Sequence, residues 1–225
     1  MNEAQIASVA ELQSIDFQTI NREISRFGDI LPSKSWEYPW LWIKALSHLS
    51  ERDRVLDIGS GRSPMPLFMC LTTGCRMAMT DIDDALLHHF NQARGQSDRI
   101  SFTFSNDERL PFMDESFDFV TSFSVIEHQK DKNKAINEAV RVLIPGGFLC
   151  ISFDIVEDGW AYPRPEEKPF SIASFTEIVW NHPAFGNKEP PKFDLGRIDP
   201  FLAWHKSTNP IHSYIVGAAA LKKIT

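Results

Sequence analysis

The stretch Val55-Leu56-Asp57-Ile58-Gly59-Ser60-Gly61-Arg62-Ser63-Pro64 runs an apolar segment into two glycines, then into a serine and a proline suited to open a helix. A short apolar run without polar alternation predicts a strand buried on both faces. Where such a strand stops at glycine, backbone N–H groups come within reach of a ligand, so its carboxyl end is a candidate binding edge. Asp81, in Thr80-Asp81-Ile82-Asp83, follows Gly59 by 81 − 59 = 22 residues and ends the next apolar run. A carboxylate at that place can accept hydrogen bonds from both hydroxyls of a ribose. The two strand ends together predict a ligand that contains a nucleoside.

Working outward, Val55 to Ile58, Met77 to Thr80, Ile100 to Phe104, Phe117 to Phe123 and Phe148 to Phe153 read as strands. Helical patterns separate several of them: Asp84 to Ala93, with Asp83 or Asp84 as its cap, and Asn133 to Leu143, with Ile136, Val140 and Leu143 on one face. Strands alternating with helices over units of this length predict parallel crossovers, hence an α/β, doubly wound sheet covered on both faces. Beyond Asp154 prolines crowd the chain; Ile172 to Trp180 predicts a helix and Ser213 to Leu221 a last strand, with no clear strand between them. Upstream, an apolar stripe from Leu12 to Phe27 predicts a helix ending at Gly28, and the aromatic run Trp36, Tyr38, Trp40 and Trp42 precedes a second helical stretch that ends near Leu49. Residues 1–50 are therefore expected to be a helical, aromatic lid segment, and residues 51–225 a single compact ligand-binding domain.

Composition narrows the function classes. A chain of 225 residues with 43% hydrophobic and 24% charged residues can bury a large core, which excludes collagen-like and wholly disordered chains. The balance of 23 basic and 30 acidic residues gives 23 − 30 = −7, with no basic run, so nucleic acid is not an expected partner. No apolar run approaches the roughly 20 residues that span a bilayer, and Met1 to Leu12 lacks the pattern of an export signal, so no membrane span is expected and the cytosol is the expected compartment. Cys70, Cys75 and Cys150 read as small core residues, and neither they nor the histidines show metal-ligand spacing.

Two departures choose among nucleoside ligands. A nicotinamide or flavin fingerprint wants glycine or alanine where Pro64 stands, and needs helix N–H groups for a pyrophosphate. Pro64 removes one such donor. Asp57, two residues before the first glycine, would repel pyrophosphate but favour a cationic ligand that carries an amino acid, the character of S-adenosylmethionine.

From Arg54 to Phe153 the chain resembles the class I S-adenosylmethionine-dependent methyltransferases, in particular the small-molecule group called methyltransferase type 11. The resemblance rests on ordered pieces: Leu56-Asp57-Ile58-Gly59-Ser60-Gly61, Thr80-Asp81-Ile82-Asp83, Leu110-Pro111-Phe112 with Ser116-Phe117-Asp118-Phe119-Val120, Ser124-Val125-Ile126-Glu127-His128, and Arg141-Val142-Leu143-Ile144-Pro145-Gly146-Gly147. It implies a Rossmann-like, seven-stranded sheet whose last strand is antiparallel, and transfer of a methyl group to a small or medium-sized acceptor, yielding S-adenosylhomocysteine. It further implies that Asp57, Gly59, Ser60 and Gly61 line the methionine and ribose, that Asp81 holds the diol, that Ile82 lies on the adenine and that Ser124 borders the methionine. Relatives often carry aspartate where this chain has Asn106; the Asn106 side-chain oxygen and the Asp107 backbone N–H are the expected adenine contacts. Ser63 stands where many relatives have a third glycine.

Methyl transfer is an in-line displacement that needs alignment and exclusion of water more than acid–base chemistry. If the acceptor must lose a proton, His128 or Glu127 is the nearest base in sequence. Trp36 and Tyr38 are expected to close over the cofactor or acceptor, and Trp204 to shape the acceptor pocket, because aromatic faces attract a sulfonium. The rival readings are an NAD(P)-dependent oxidoreductase and a non-catalytic binding module of the same fold.

Overall fold

The structure is a computed structural model that describes residues 2–32, 34–105, 109–157, 160, 162, 169–208 and 214–224. Its first half comprises β1 (Glu3–Ile6), α1 (Val9–Leu12), α2 (Ile15–Ile24), α3 (Lys34–Lys44), β2 (Arg54–Ile58), α4 (Met65–Thr73), β3 (Arg76–Asp81), α5 (Leu87–Arg94) and β4 (Ile100–Phe104). The second half adds β5 (Phe117–Phe123), α6 (Lys132–Val142), β6 (Leu143–Ile155), α7 (Ile172–Phe175), α8 (Ile198–Thr208) and β7 (Ile215–Lys222). The strands form one seven-stranded sheet in the order β1-β7-β6-β5-β2-β3-β4. The ladders joining β4, β3, β2, β5 and β6 are parallel, and β7 runs antiparallel to β6, so the Rossmann-like α/β sheet has the orientation of its last strand that the sequence implies.

Local chemistry sets the boundaries. The Asp83 carboxylate accepts the Ala85 N–H at 2.9 Å and starts a short 3-10 turn that leads into α5. Asp131 caps α6 through the Lys134 N–H at 2.9 Å, and α6 lays Ala135, Ile136, Ala139, Val140 and Val142 into the core. α4 ends at Gly74, whose φ of +74° is the left-handed conformation glycine adopts freely.

Three expectations are corrected. The seventh strand does not lie between the helix near Ile172 and the last strand; it is β1, at the N-terminus, paired antiparallel with β7 from Glu3↔Ala220 to Ile6↔Gly217. Residues 1–50 thus supply an edge of the sheet as well as helices. Glu3, Ala4 and Gln5 are only half-buried, because an edge strand of four residues shows water one face, and the sequence therefore carries no apolar run there. The aromatic run lies inside α3, with no loop before a later helix. Pro145-Gly146-Gly147 falls within β6, where the ladder with β5 jumps from Phe117↔Leu143 to Phe119↔Phe148; the extra residues bulge, with Gly146 at φ +83°.

One apolar cluster runs through the whole sheet, from Ile6 and Trp36 on the N-terminal elements to Leu221 on β7. Among the described residues no helix is long and apolar enough to cross a membrane, and no group of three or more His, Cys, Asp or Glu is arranged to hold a metal ion. The three cysteines are buried free thiols. Because Ile6 is 1% exposed, Ile6→Ala is expected to lower stability by about 2–4 kcal/mol in urea unfolding; a loss under about 0.5 kcal/mol would show that β1 does not belong to the core.

Candidate functional site

The turn after β2 is built on two left-handed glycines, Gly59 at φ +66° and Gly61 at φ +51°. At Gly59 a side chain is also sterically excluded, since a Cβ there would lie 2.6 Å from both Val125 methyls. Hydrogen bonds fix the turn against β3: the Ser60 N–H donates to the Thr80 carbonyl at 2.9 Å and the Gly61 N–H to Asp81 Oδ2 at 2.8 Å. Asp81 Oδ1 accepts the Asp83 N–H at 3.0 Å. Ser63 Oγ accepts the Met65 N–H at 3.2 Å, and Pro64, which precedes α4, has no N–H to offer.

The turn forms one wall of a cleft of about 540 Å³. Of the residues expected at the site, Tyr38, Asp57, Gly59, Ser60, Gly61 and Ser124 line it together. Asp57 is 1% exposed; its Oδ1 accepts from Thr121 Oγ1 at 2.6 Å, while the equally buried Oδ2 has no partner. Burial pushes its carboxyl up to about 7, against the Thr121 hydrogen bond that favours ionisation. The site thus holds a buried acceptor oxygen, Asp57 Oδ2, that no donor among the described residues meets within hydrogen-bond geometry, although the Ser60 hydroxyl as well as that of Thr121 favours the ionised carboxyl.

The opposite wall comes from the N-terminal segment. Lys34 and Tyr38 of α3 line the cleft. Tyr38 packs edge-on against Phe123 at 5.2 Å, and its hydroxyl lies 3.0 Å from Ser63 Oγ. Sequence reasoning passed over Lys34 and Glu37, which form a buried ion pair of 2.8 Å. Burial opposes the Lys34 charge, but the Glu37 carboxylate outweighs it and raises the ammonium above its ordinary value. Glu37 also accepts from Ser124 Oγ at 3.2 Å, and Ser124 is a non-glycine residue at φ +53°. This contact ties α3 to the turn after β5. The only signal in the sequence was the Lys34-x-x-Glu37 spacing, which on a helix usually marks a solvated pair.

The other expected residues among those described are placed apart from the cleft lining. Asp81 stands behind the turn, committed to the Gly61 N–H, and Ile82 beyond it is 77% exposed. Asn106 and Asp107 lie outside the described residues. Trp36 is fully buried, stacked on Trp40 at 5.7 Å and donating to Glu11 Oε2 at 2.7 Å, so it anchors α3 to the N-terminal helices. Glu127 is fully buried and its Oε1 accepts the Asp154 N–H at 3.1 Å. Burial, then the Asp154 carboxylate, raises the Glu127 carboxyl well above its ordinary value. His128 begins a file of rings that passes through Tyr162, Tyr214 and His205 to Trp204, with successive centroids 6.5, 5.6, 4.4 and 6.4 Å apart. Tyr162 also donates to Asp154 Oδ2 at 2.9 Å.

Residues 56–151 match the family model described as a methyltransferase domain. The chain is 31% identical over 160 residues to the ubiquinone/menaquinone biosynthesis C-methyltransferase UbiE of Rickettsia peacockii, a match covering 65% of this chain and 61% of that protein. It is 32% identical over 174 residues to UbiE of Bartonella tribocorum, covering 72% of this chain and 64% of that protein. The chain thus spans less than two thirds of the length of these curated relatives. Among solved structures, phosphoethanolamine N-methyltransferase 2 of Haemonchus contortus, in complex with S-adenosyl-L-methionine, superposes with a TM-score of 0.64 at 18% identity over 95% of this chain and 61% of that one. That likeness is one of fold.

The two glycines predict different costs. Gly59→Ala combines a left-handed φ with a collision on Val125 and is expected to destabilise by about 3 kcal/mol or more, whereas Gly61→Ala, with no other atom nearer than 3.9 Å, costs about 1 kcal/mol. Thermal unfolding of both variants checks the order; equal losses would remove the close approach from the argument.

Proposed function

We propose that the matched region, residues 56–151, is a methyltransferase domain of the class I, S-adenosylmethionine-dependent kind, and that this chain moves the methyl group of S-adenosylmethionine to a small acceptor. The observation that carries the proposal is the buried, unpartnered Asp57 Oδ2 in a cleft closed on one side by a turn that excludes side chains. A buried acceptor without a donor is costly, and a cationic group from a ligand removes that cost. Lys34 lines the same cleft with the opposite charge, so Asp57 and Lys34 suit the ammonium and carboxylate of an amino-acid moiety. Gly59, Ser60 and Gly61 let the ligand approach the backbone, and Asp81 keeps lone pairs for a diol beyond its two backbone hydrogen bonds.

When bound, S-adenosylmethionine supplies an electrophilic methyl on a sulfonium. The chain's part is to orient the two reactants and keep water out. Tyr38 and the α3 wall cover the cleft and present an aromatic face to the sulfonium. Where an acceptor must lose a proton, we assign that step to His128; Glu127 is buried and engaged by the Asp154 N–H. The acceptor chemistry of the UbiE relatives, C-methylation in ubiquinone and menaquinone biosynthesis, is one candidate for this chain.

A nicotinamide cofactor fits less well. The first turn of α4 has little to offer a pyrophosphate, since Pro64 has no donor and the Met65 N–H is taken by Ser63.

Calorimetry is expected to show saturable binding of S-adenosylmethionine and none of NAD, and a labelled cofactor is expected to release S-adenosylhomocysteine with at least one small acceptor. Binding of NAD alone would reverse the proposal. The Asp57 carboxyl, raised to about 7, must be ionised to receive a cation, so affinity is expected to rise with pH through that value. Between pH 6 and pH 8 the ionised fraction grows about tenfold, and the affinity should follow. Asp57→Asn should weaken binding and flatten this profile; an unchanged profile would take Asp57 out of the cofactor site.

A further inference from the structure

A second cleft, of about 580 Å³, lies at the end of the sheet remote from the glycine turn. Its wall includes Arg54, Arg76 and Arg99, although the chain as a whole carries −7. Arg54 and Arg76 open β2 and β3 and are register partners, so they stand abreast on adjacent parallel strands, roughly 4.8 Å apart. Like charges so placed repel, and an anion between them turns that repulsion into attraction.

Little of this charge is spent inside the protein. Of the Arg54 guanidinium only Nε meets a carboxylate, Asp118 Oδ2 at 3.2 Å, an oxygen that also accepts the Arg54 backbone N–H at 2.9 Å. Arg99 gives Nη1 to the Gly74 carbonyl at 2.5 Å. The Arg76 N–H donates to the Asp53 carbonyl at 2.9 Å, while its guanidinium makes no hydrogen bond or ion pair among the described residues. The acidic residues nearby are Asp98, which also lines the cleft, Asp118, which Arg54 engages, Asp53, whose carboxylate accepts from Ser50, and Glu51, which lies beside Gly74. Next to the guanidinium groups the wall is aromatic: Phe112 and Phe117 meet edge to face at 4.9 Å. The volume is that of a small-molecule site.

We propose that this arginine and phenylalanine cleft binds a phosphate monoester that carries an aromatic or apolar group, the phosphate on Arg54, Arg76 and Arg99 and the apolar part against Phe112 and Phe117. Guanidinium groups present paired donors to phosphate oxygens, and the phenylalanines separate a substituted phosphate from the bare anion. The site is independent of the methyltransferase reading. β2 carries Arg54 at one end and leads into Gly59 at the other, roughly 16 Å along the strand, so this ligand does not compete with one in the first cleft.

The test is calorimetry of the full chain with phenyl phosphate, inorganic phosphate and phenol at low salt. Phenyl phosphate is expected to bind in about the millimolar range or tighter, inorganic phosphate more weakly, and phenol not measurably. Arg76→Ala should weaken phenyl phosphate binding at least tenfold, Arg76→Lys should retain part of it, and Arg54→Ala/Arg76→Ala should abolish it, with thermal unfolding and S-adenosylmethionine affinity as controls for folding. Equal affinity for phenyl phosphate and inorganic phosphate would remove the aromatic wall from the site and overturn the assignment of ligand class. Absence of saturable binding up to about 20 mM, or binding that survives in Arg76→Ala, would overturn the site.

Discussion

The Gly61 N–H held by the Asp81 carboxylate at 2.8 Å is the interaction on which the rest of the cleft depends. It joins the ends of β2 and β3, and with the Ser60 N–H on the Thr80 carbonyl it gives a turn of left-handed residues a fixed position. Without that anchorage the glycines that make room at the cleft would also make the turn loose, because the absence of a Cβ permits many conformations. The carboxylate carries its charge close to the opening of α4 and stabilises exposed N–H groups whether or not a ligand is present. An acid at the end of the second strand is therefore structural first, and its suitability for a diol follows from where the turn has put it.

Much of this was legible because parallel strands buried on both faces write themselves as apolar runs, and because glycine at a strand end has few other uses. Asp57, Gly59, Ser60 and Gly61 were marked by such local signals, Ser124 by the family resemblance and Tyr38 by its place in the aromatic run, and they meet in one cleft. β1 was illegible for the converse reason: Glu3-Ala4-Gln5-Ile6 lies at an edge and gains its identity from β7, far away in sequence. Trp36 could be read as a lid or as an anchor, and only its partners Trp40 and Glu11 decide. Lys34 and Glu37 looked like a surface pair; their burial is a property of what α3 is packed against.

Four buried ionisable groups around the cleft show how little residue type determines state. Glu37 faces an ammonium and a hydroxyl, Asp57 a single hydroxyl, and Glu127 a backbone amide beside another carboxylate. Lys34 keeps its charge because Glu37 is adjacent. The Glu127 carboxyl is raised by burial and then by the like charge of Asp154. Asp57 lies between these cases, and this leaves it sensitive to what enters the cleft.

The pairing of β1 with β7 has a consequence for how the protein is made. Residues 3–6 are synthesised long before residues 217–220, their hydrogen-bonding partners, so this strand waits unseated while the intervening chain is made. During that interval the apolar flank of Ile6 and the open side of β6 are both uncovered, a state prone to association with other nascent chains. So distant a contact slows the closing of this edge, since the loop between the strands spans 217 − 6 = 211 residues. Order along this edge is set by elongation, with a segment made early docking late.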